Sequence, residues 1–232
     1  MNSLILPVAG KASRMLGLPK YLLPYDNHST LIQKHIEGAL EAGFSQVIVA
    51  IHSLFLPLIE KQIFPIQSSN VTIVELRKET RTMNETIRLT LSRLQSELVG
   101  PRITIGLADS AYVDISYSQI YSEIFLSPHD YLLSLFEIRS DQVGKLGQVK
   151  IDNEGRVLDM KDKDSHCVYR HAWGNISMPL NIAESLPLEE PHAGVSFANL
   201  VRENLPIYGW VTGARYFDCG TLEEYKMFLN SS

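Results

Sequence analysis

The sequence contains little cysteine, no long apolar run and no excess of positive charge. Its 232 residues include two cysteines, Cys167 and Cys219, which form no CxxC pair. This argues against a disulfide framework or a cysteine zinc site, and we expect a reduced, cytoplasmic protein. No uncharged apolar run approaches the roughly 18 residues of a membrane span. The first charged residue is Lys11, so we expect neither a signal peptide nor a membrane partner.

The balance of charge restricts the class of ligand. There are 26 acidic and 21 basic residues, which gives a formal net charge of −5. A general nucleic-acid binder needs a basic face, so we expect no nucleic-acid partner. A small phosphorylated ligand remains possible, because a few local cations are enough to bind it.

The front half of the chain alternates strand and helix patterns. Capping boxes begin the predicted helices after Thr30 and Thr82. Strands joined by helices indicate βαβ units, and therefore an α/β fold with a Rossmann-like, mixed, mostly parallel sheet flanked by helices. The predicted strands are 4–8, 46–51, 71–76 and 102–107, and the predicted helices follow Thr30, residue 53 and Thr82.

Ligands of such sheets bind beyond the carboxyl ends of the strands. The loops 9–20, 77–82 and 108–114 follow three of the predicted strands, so we expect them to share one rim. This rim is the first indication of a functional site.

The back half is less regular and carries no repeat or long linker. We interpret residues 1–232 as one domain, with a nucleotide-binding half at 1–114 and an acceptor-binding half at 115–232. The predicted elements are strands at 130–138, 147–151, 156–159, 171–178 and 207–211, and helices at 193–204 and after Thr221.

The loop after the first strand combines small residues with cations. Lys11, Arg14 and Lys20 lie within ten residues of one another, and backbone N–H groups near Gly10 can form an anion-binding nest. Neither a P-loop nor a GxGxxG turn is present. A solvated basic loop is the simpler alternative.

The same loop resembles a known family. Residues 9–15 match A-G-x-x-[ST]-R-M, and 19–24 match P-K-x-L-L-P. This pattern resembles the sugar-phosphate nucleotidyltransferases, which include nucleoside-diphosphate-sugar pyrophosphorylases and glucose-1-phosphate thymidylyltransferases. The resemblance implies the nucleotide-diphospho-sugar transferase fold. It also implies contacts to an NTP, with Arg14 and Lys20 catalytic. The implied contacts are Ala9, Gly10, Lys11, Ser13, Arg14 and Lys20.

The loop departs from the family pattern in two ways. Ala12 replaces the second loop glycine, and the stretch between Arg14 and Pro19 is shorter than in most sugar-nucleotide members. The shorter spacing is closer to the molybdopterin cytidylyl- and guanylyltransferases. The continuation around Lys20 is closer to the sugar branch.

Two aspartates occupy the positions of the family's metal ligands. Asp109 follows the fourth predicted strand, and Asp218 lies in Asp-Cys-Gly-Thr, which is similar to the family's D-[IV]-G-T. The resemblance implies that both hold Mg²⁺, which favours one or two carboxylates together with phosphates and water. Considered singly, Asp109 is also explained as a loop residue, and Asp218 as a residue favoured ahead of a helix.

The segments that resemble the family's substrate contacts carry weaker patterns. Thr82 matches a base-side position, although Arg81 replaces the family's glycine and Thr82 is also explained as an N-cap. The resemblance places the sugar or its phosphate near Gly147, Asp162, Lys163 and Gly174. The run 161–164 is also explained as a solvated charged segment, and Trp173 as a core residue. Lys161 leaves the register open, and Lys161 and Lys163 would share a face if the segment is extended.

Together these features predict an Mg²⁺-dependent nucleotidyltransferase. It would transfer a nucleotidyl group from an NTP to a sugar 1-phosphate and release pyrophosphate. The alternatives are a cytidylyl- or guanylyltransferase acting on a non-sugar phosphomonoester, a nucleotide-sugar glycosyltransferase, and a catalytically inactive homologue that binds nucleotide sugars. No D-x-D pair surrounds Asp109, which argues against the glycosyltransferase.

Overall fold

The computed structural model describes residues 2–10, 17–66, 68–94 and 99–231. The strands are β1 (Asn2–Val8), β2 (Gln46–His52), β3 (Val71–Leu76), β4 (Arg102–Ile105), β5 (Ser110–Val113), β6 (Tyr131–Glu137), β7 (Gly147–Ile151), β8 (Val157–Asp162), β9 (His171–Pro179), β10 (Ile207–Val211) and β11 (Arg215–Asp218). The helices are α1 (Leu31–Glu41), α2 (Leu56–Ile63), α3 (Met83–Leu91), α4 (Tyr117–Leu126), α5 (Leu180–Ser185), α6 (Ala193–Arg202) and α7 (Leu222–Leu229). Short 3₁₀ turns include 20–22 and 53–55.

One large sheet runs through both halves of the chain. Its main path has the order β10-β6-β9-β4-β1-β2-β3. The run β4-β1-β2-β3 is parallel, and β9 is antiparallel to both β4 and β6. The hairpin β7–β8 joins this sheet through β9. The predicted mixed, mostly parallel sheet flanked by helices is therefore confirmed.

A separate two-stranded ribbon lies outside the large sheet. Strands β5 and β11 pair antiparallel, with Ser110 opposite Asp218 and Val113 opposite Arg215. The sequence analysis predicts a loop over 108–114 and no strand at 215–218, so it misses this ribbon. Both strands have only four residues, which is too short for a clear alternating pattern.

The remaining elements follow the sequence patterns closely. Thr82 and Thr221 cap their helices, since the hydroxyl of each accepts a hydrogen bond from the backbone N–H three residues later, at 3.0 and 3.3 Å. At the start of α1, the N–H of Thr30 donates to Gln33 Oε1 at 2.8 Å. The sequence analysis assigns no element to α4, although Ser116 caps it in the same manner. Helix α5 is also absent from the prediction.

The large sheet separates two apolar cores. Ile5 of β1 packs into one core, whereas Leu4 and Leu6 pack into the other. Val47 and Ile48 of β2 divide in the same way, as alternating residues of a strand must. All five side chains are fully buried, so the central strands are covered on both faces. Within the described ranges, no helix has the length and hydropathy that a membrane crossing requires.

Helices α1 and α4 cross at a point where only a hydrogen atom fits. A Cβ on Gly38 would lie 2.4 Å from the Cβ of Tyr117 and 2.8 Å from its carbonyl carbon. The backbone of α4 therefore packs directly against α1. This contact matters for the site because α4 follows β5 along the chain.

We expect Gly38→Ala to lower the free energy of unfolding by about 1–3 kcal/mol, the usual cost of overpacking. At an open helical position the same change would raise the free energy of unfolding by about 1 kcal/mol, because alanine has the higher helix propensity. Here we expect the opposite sign. Urea unfolding of Gly38→Ala measures the effect, and Glu41→Ala, at an exposed position of the same helix, is the control. A stabilised Gly38→Ala protein would contradict this packing.

Candidate active site

A continuous cleft lies at the carboxyl ends of the parallel strands. Two adjoining chambers form it, and they share Lys20, Met83, Leu107 and Asp109. The first chamber is lined also by Pro7, Val8, Gly10, Pro19, Tyr21, Phe55 and Ala108. The second chamber is lined also by Lys145, Leu146, Gly147, Asp162, Lys163, Trp173, Pro191, His192, Ala193, Gly194, Tyr216 and Asp218. Described residues of the predicted loops 9–20 and 108–114 line this cleft, although 110–113 forms a strand. No residue of the third predicted loop, 77–82, lines either chamber.

The β5–β11 ribbon brings Asp109 and Asp218 to the same cleft. Asp109 immediately precedes β5, and its carbonyl oxygen accepts a hydrogen bond from the N–H of Cys219 at 3.0 Å. Asp218 ends β11, where its Oδ1 accepts from the N–H of Gly220 at 3.0 Å. Since Thr221 caps α7, Asp218 is not needed as the helix cap. The two predicted metal ligands are thus adjacent although they are distant in sequence.

Lys20 supplies a cation next to these carboxylates. Its Nζ lies 3.8 Å from Asp109 Oδ2, and its side chain is 15% exposed, against 37% for that of Asp109. Because Lys20 lines both chambers, its ammonium can contact an anion lying across their junction. This position is consistent with the predicted role of Lys20 at a triphosphate.

The negative charge of the site helps to raise the pKa values of two buried neighbours. Burial, and after it the charges of Asp109 and Asp218, raises the pKa of the Cys219 thiol. Burial and the same carboxylates also raise the pKa of the Tyr216 phenol well above its ordinary value. The raised pKa and the burial of Cys219 favour its neutral thiol form near pH 7.

The donor set suits a hard divalent cation that is shared with a ligand. Among the residues described, no group of three His, Cys, Asp or Glu side chains could hold a metal ion. Two carboxylates alone match Mg²⁺, which usually completes its octahedron with phosphate oxygens and water. Asp109 and Asp218 therefore fit a metal that is held together with a phosphorylated substrate.

Two further lysines reach the second chamber. Lys163 follows the end of β8 with a left-handed backbone (φ +51°), and its side chain lines the chamber together with that of Lys145. Lys161 instead lies 3.6 Å from Asp159 and does not line the chamber. The turn at Lys163 takes it out of the extended strand, so Lys161 and Lys163 do not share a face, and of the two only Lys163 lines the chamber.

A carboxylate and an imidazole meet at the start of α6. Asp162 Oδ2 lies 3.7 Å from His192 Nδ1, and the Asp162 side chain is 10% exposed. A Cβ on Gly194 would lie 2.3 Å from Asp162 Oδ1, so the carboxylate approaches the first turn of the helix closely. An anion is favoured there by the helix dipole. Asp162 is therefore a fixed hydrogen-bond acceptor at the chamber wall.

Trp173 forms part of the wall of the second chamber. Its ring packs edge-on against Phe197 at 5.1 Å, and a Cβ on Gly147 would lie 2.2 Å from its Nε1. Glycine at 147 therefore makes room for the indole. The predicted contact Gly174 lies behind this wall, where a Cβ would meet the ring of Phe136 at 2.4 Å, and it does not line the cleft.

The other predicted contacts differ in position. Gly10 lines the first chamber, whereas Ala9 is fully buried in the core. The hydroxyl of Thr82 accepts from the Glu85 N–H and donates to the carbonyl of Leu188, so both functions of this group are used within the fold. Lys11, Ser13 and Arg14 lie outside the described residues.

Two residues of the cleft have no signal in the sequence. Lys145 lies in a loop between strands, and His192 precedes a helix without a side-chain cap. Neither belongs to a motif. Only the packing of β7, β8 and α6 places them beside Lys163.

The overall fold matches known structures over almost their full length. A UDP-glucose pyrophosphorylase solved with UDP-glucose has a TM-score of 0.80 and 19% identity, over 100% of this chain and 98% of that one. A nucleoside-diphosphate-sugar pyrophosphorylase from Vibrio cholerae has a TM-score of 0.74 and 19% identity, over 98% and 99%. An inositol-1-phosphate CTP transferase from T. maritima has a TM-score of 0.76 and 14% identity, over 98% and 93%. No protein-family model and no curated protein sequence matches the chain.

The chain has the nucleotide-diphospho-sugar transferase fold. The fold implied by the resemblance of residues 9–24 is thereby confirmed. At these identities the likeness establishes the architecture, and the chemistry must be argued from the side chains.

Arg139 links β11 to α7 through hydrogen bonds in this nucleotide-diphospho-sugar transferase fold. Its Nη2 donates to both carboxylate oxygens of Glu224 at 2.8 Å, and its Nη1 donates to the carbonyl of Tyr216 at 2.9 Å. The guanidinium also lies 4.7 Å from the centre of the Phe217 ring. Asp218 therefore extends from a strand whose two preceding residues both contact Arg139.

We expect Glu224→Gln to lower the free energy of unfolding by about 2 kcal/mol. Removing one partner of a fully buried pair costs about 3–5 kcal/mol, and the effect is smaller here because the Arg139 side chain is 27% exposed. Asp141→Asn, which breaks an exposed pair with the same guanidinium, should cost less than about 1 kcal/mol. Chemical unfolding of both variants tests this, and equal losses would contradict a special role for Glu224.

Proposed function

We propose that this protein is an Mg²⁺-dependent nucleotidyltransferase that joins the nucleotidyl group of an NTP to a sugar 1-phosphate and releases pyrophosphate. The observation that carries the proposal is that the β5–β11 ribbon places Asp109 and Asp218 on one cleft, where Lys20 lines both chambers. The first chamber takes the nucleotide and the second takes the acceptor. UDP-glucose bound to a protein of the same fold supports this choice of ligand class.

No general base is needed for this reaction. A phosphate monoester has a second pKa near 6 and is therefore already mostly dianionic at pH 7. Its oxygen attacks the α-phosphorus of the NTP in line, the bond to the β-phosphate oxygen breaks, and pyrophosphate leaves. The work of the protein is to align two polyanions and to balance the charge of the transition state.

The described residues divide this work between the chambers. Asp109 and Asp218 would hold Mg²⁺, which when bound neutralises charge on the phosphate oxygens. Lys20 contacts the triphosphate at the junction. Lys163 and Lys145 attract the acceptor phosphate, while Asp162 accepts a hydrogen bond from an acceptor hydroxyl. Arg14 is proposed as a further triphosphate contact on the strength of its motif alone.

A non-sugar phosphomonoester is the second candidate acceptor. The spacing between Arg14 and Pro19 favours this alternative, and so does the likeness to an inositol-1-phosphate CTP transferase. Release of pyrophosphate from a panel of NTPs, with sugar 1-phosphates and polyol phosphates as acceptors, distinguishes the two. A glycosyltransferase or an inactive binding protein would release none.

We expect Asp218→Asn and Asp109→Asn to lower turnover by about 100-fold or more, because each removes a charge that the metal and the transition state require. The control is Asp114→Asn, since Asp114 pairs with Arg215 on the same ribbon but does not line the cleft. The measurement is pyrophosphate release at saturating Mg²⁺. Near-normal turnover of Asp218→Asn would show that the two-carboxylate site is wrong.

We expect Lys163→Ala to raise the KM for the acceptor by roughly 10–100-fold, the value of a hydrogen bond to a charged group. The KM for NTP should change little. Lys161→Ala is the matched control, because Lys161 pairs with Asp159 outside the cleft, and its KM values should stay within about twofold of wild type. Equal effects of the two substitutions would remove Lys163 from the acceptor site.

A further inference from the structure

A buried histidine bonds to the residue that follows Asp109. His35 of α1 is fully buried, and its Nε2 lies 3.1 Å from the carbonyl oxygen of Ser110. A carbonyl oxygen only accepts hydrogen bonds, so Nε2 carries the proton. Its Nδ1 lies 2.6 Å from the hydroxyl of Tyr121. In the neutral ring Nδ1 is an acceptor, and the hydroxyl of Tyr121 therefore donates to it.

Ser110 is the residue that connects this histidine to the site. It follows Asp109 in the chain and lies opposite Asp218 in the β5–β11 ribbon. Its carbonyl oxygen also accepts from the Tyr117 hydroxyl at 3.1 Å. Its own hydroxyl donates to the carbonyl of Leu107 at 2.5 Å. The carbonyl oxygen and the hydroxyl of Ser110 thus both hold the turn that carries Asp109.

The surroundings of His35 keep it in one state. The rings of Tyr112, Tyr117 and Tyr121 lie edge-on to the imidazole at 4.8–6.0 Å. Burial lowers the pKa of His35 to about 4, although the bond to Ser110 opposes this shift. The ring is therefore neutral near pH 7, with a single tautomer fixed by its two partners. Apolar side chains could fill the same space and would need no hydrogen-bond partners. Packing alone therefore does not explain why a histidine is buried here.

We propose that His35 is a positioning residue for the metal-binding carboxylates and that it acts through the Ser110 carbonyl oxygen. The imidazole fixes the carbonyl of Ser110, the residue that follows Asp109 and lies opposite Asp218, and so holds Asp109 at the distance from Asp218 that a single divalent cation requires. This inference rests on the proposed function. It adds a hydrogen-bonded layer beneath the two carboxylates, of the kind that tunes metal affinity in other proteins.

The test measures metal binding separately from turnover. The probe is Mn²⁺ alone, with free ion followed by electron paramagnetic resonance, and thermal unfolding is recorded for the same samples. His35→Leu should raise the Kd for Mn²⁺ by about 10-fold or more, the usual effect of losing an outer hydrogen bond at a metal site. His35→Gln, whose amide can still donate to the Ser110 carbonyl, should restore affinity to within about threefold of wild type.

Tyr117→Phe is a second variant that tests the same inference if the His35→Leu protein does not fold. It removes the second donor to the same carbonyl and should weaken Mn²⁺ binding in the same direction. Variants that lose thermal stability but keep the wild-type Kd would show that His35 is structural only and would overturn the inference. If Asp218→Asn binds Mn²⁺ with the wild-type Kd, the proposed metal site itself is overturned.

Discussion

The pairing of β5 with β11 is the constraint on which the candidate site depends. It places Asp218 opposite Ser110, and the Cys219 N–H holds the carbonyl of Asp109 from the other strand. Each strand is then supported from outside the ribbon. His35 and Tyr117 hold β5 through Ser110, and Arg139 holds β11 through the carbonyl of Tyr216. The carboxylates are presented to solvent by a backbone that is itself well buried.

The charge pattern of the cleft is compatible with the proposed polyanionic substrates although the chain is acidic. The formal net charge is −5, yet Lys20, Lys145 and Lys163 all line the second chamber. Asp109 and Asp218 line the same chamber, and a divalent cation held there would offset their negative charge. The proposed attraction for phosphate is therefore local, and in the proposed reaction it would come from a bound metal as well as from side chains.

The sequence was sufficient to predict the parallel strands, because β1 and β2 are short apolar runs buried on both faces. It also placed Asp109, Asp218, Lys20, Gly147, Asp162 and Lys163 on the cleft through motif resemblance. Tertiary contacts decided the rest. The ribbon joins short segments that are about 100 residues apart, and no local period marks such a pairing. Lys145 and His192 reach the cleft only through the packing of β7 and α6.

Two of the weaker resemblances fall on residues that have structural roles. Thr82 has the hydrogen bonds of a helix cap, and its hydroxyl is saturated by Glu85 and Leu188. Gly174 leaves space for Phe136 and lies behind Trp173. A short motif identifies the type of residue at a position, but it does not show whether that residue faces a ligand or the core.

The long separation between the two ribbon strands has a consequence for biosynthesis. Asp109 emerges from the ribosome well before Asp218, and the parallel strands β1 to β4 can assemble in the meantime. The two carboxylates proposed to bind the metal, however, cannot come together until β11 has been made and has closed a loop of about 100 residues. Such non-local contacts form late in folding. Until then the newly made chain carries Asp109 without the second carboxylate, so the proposed metal site is completed only in the last stage of folding.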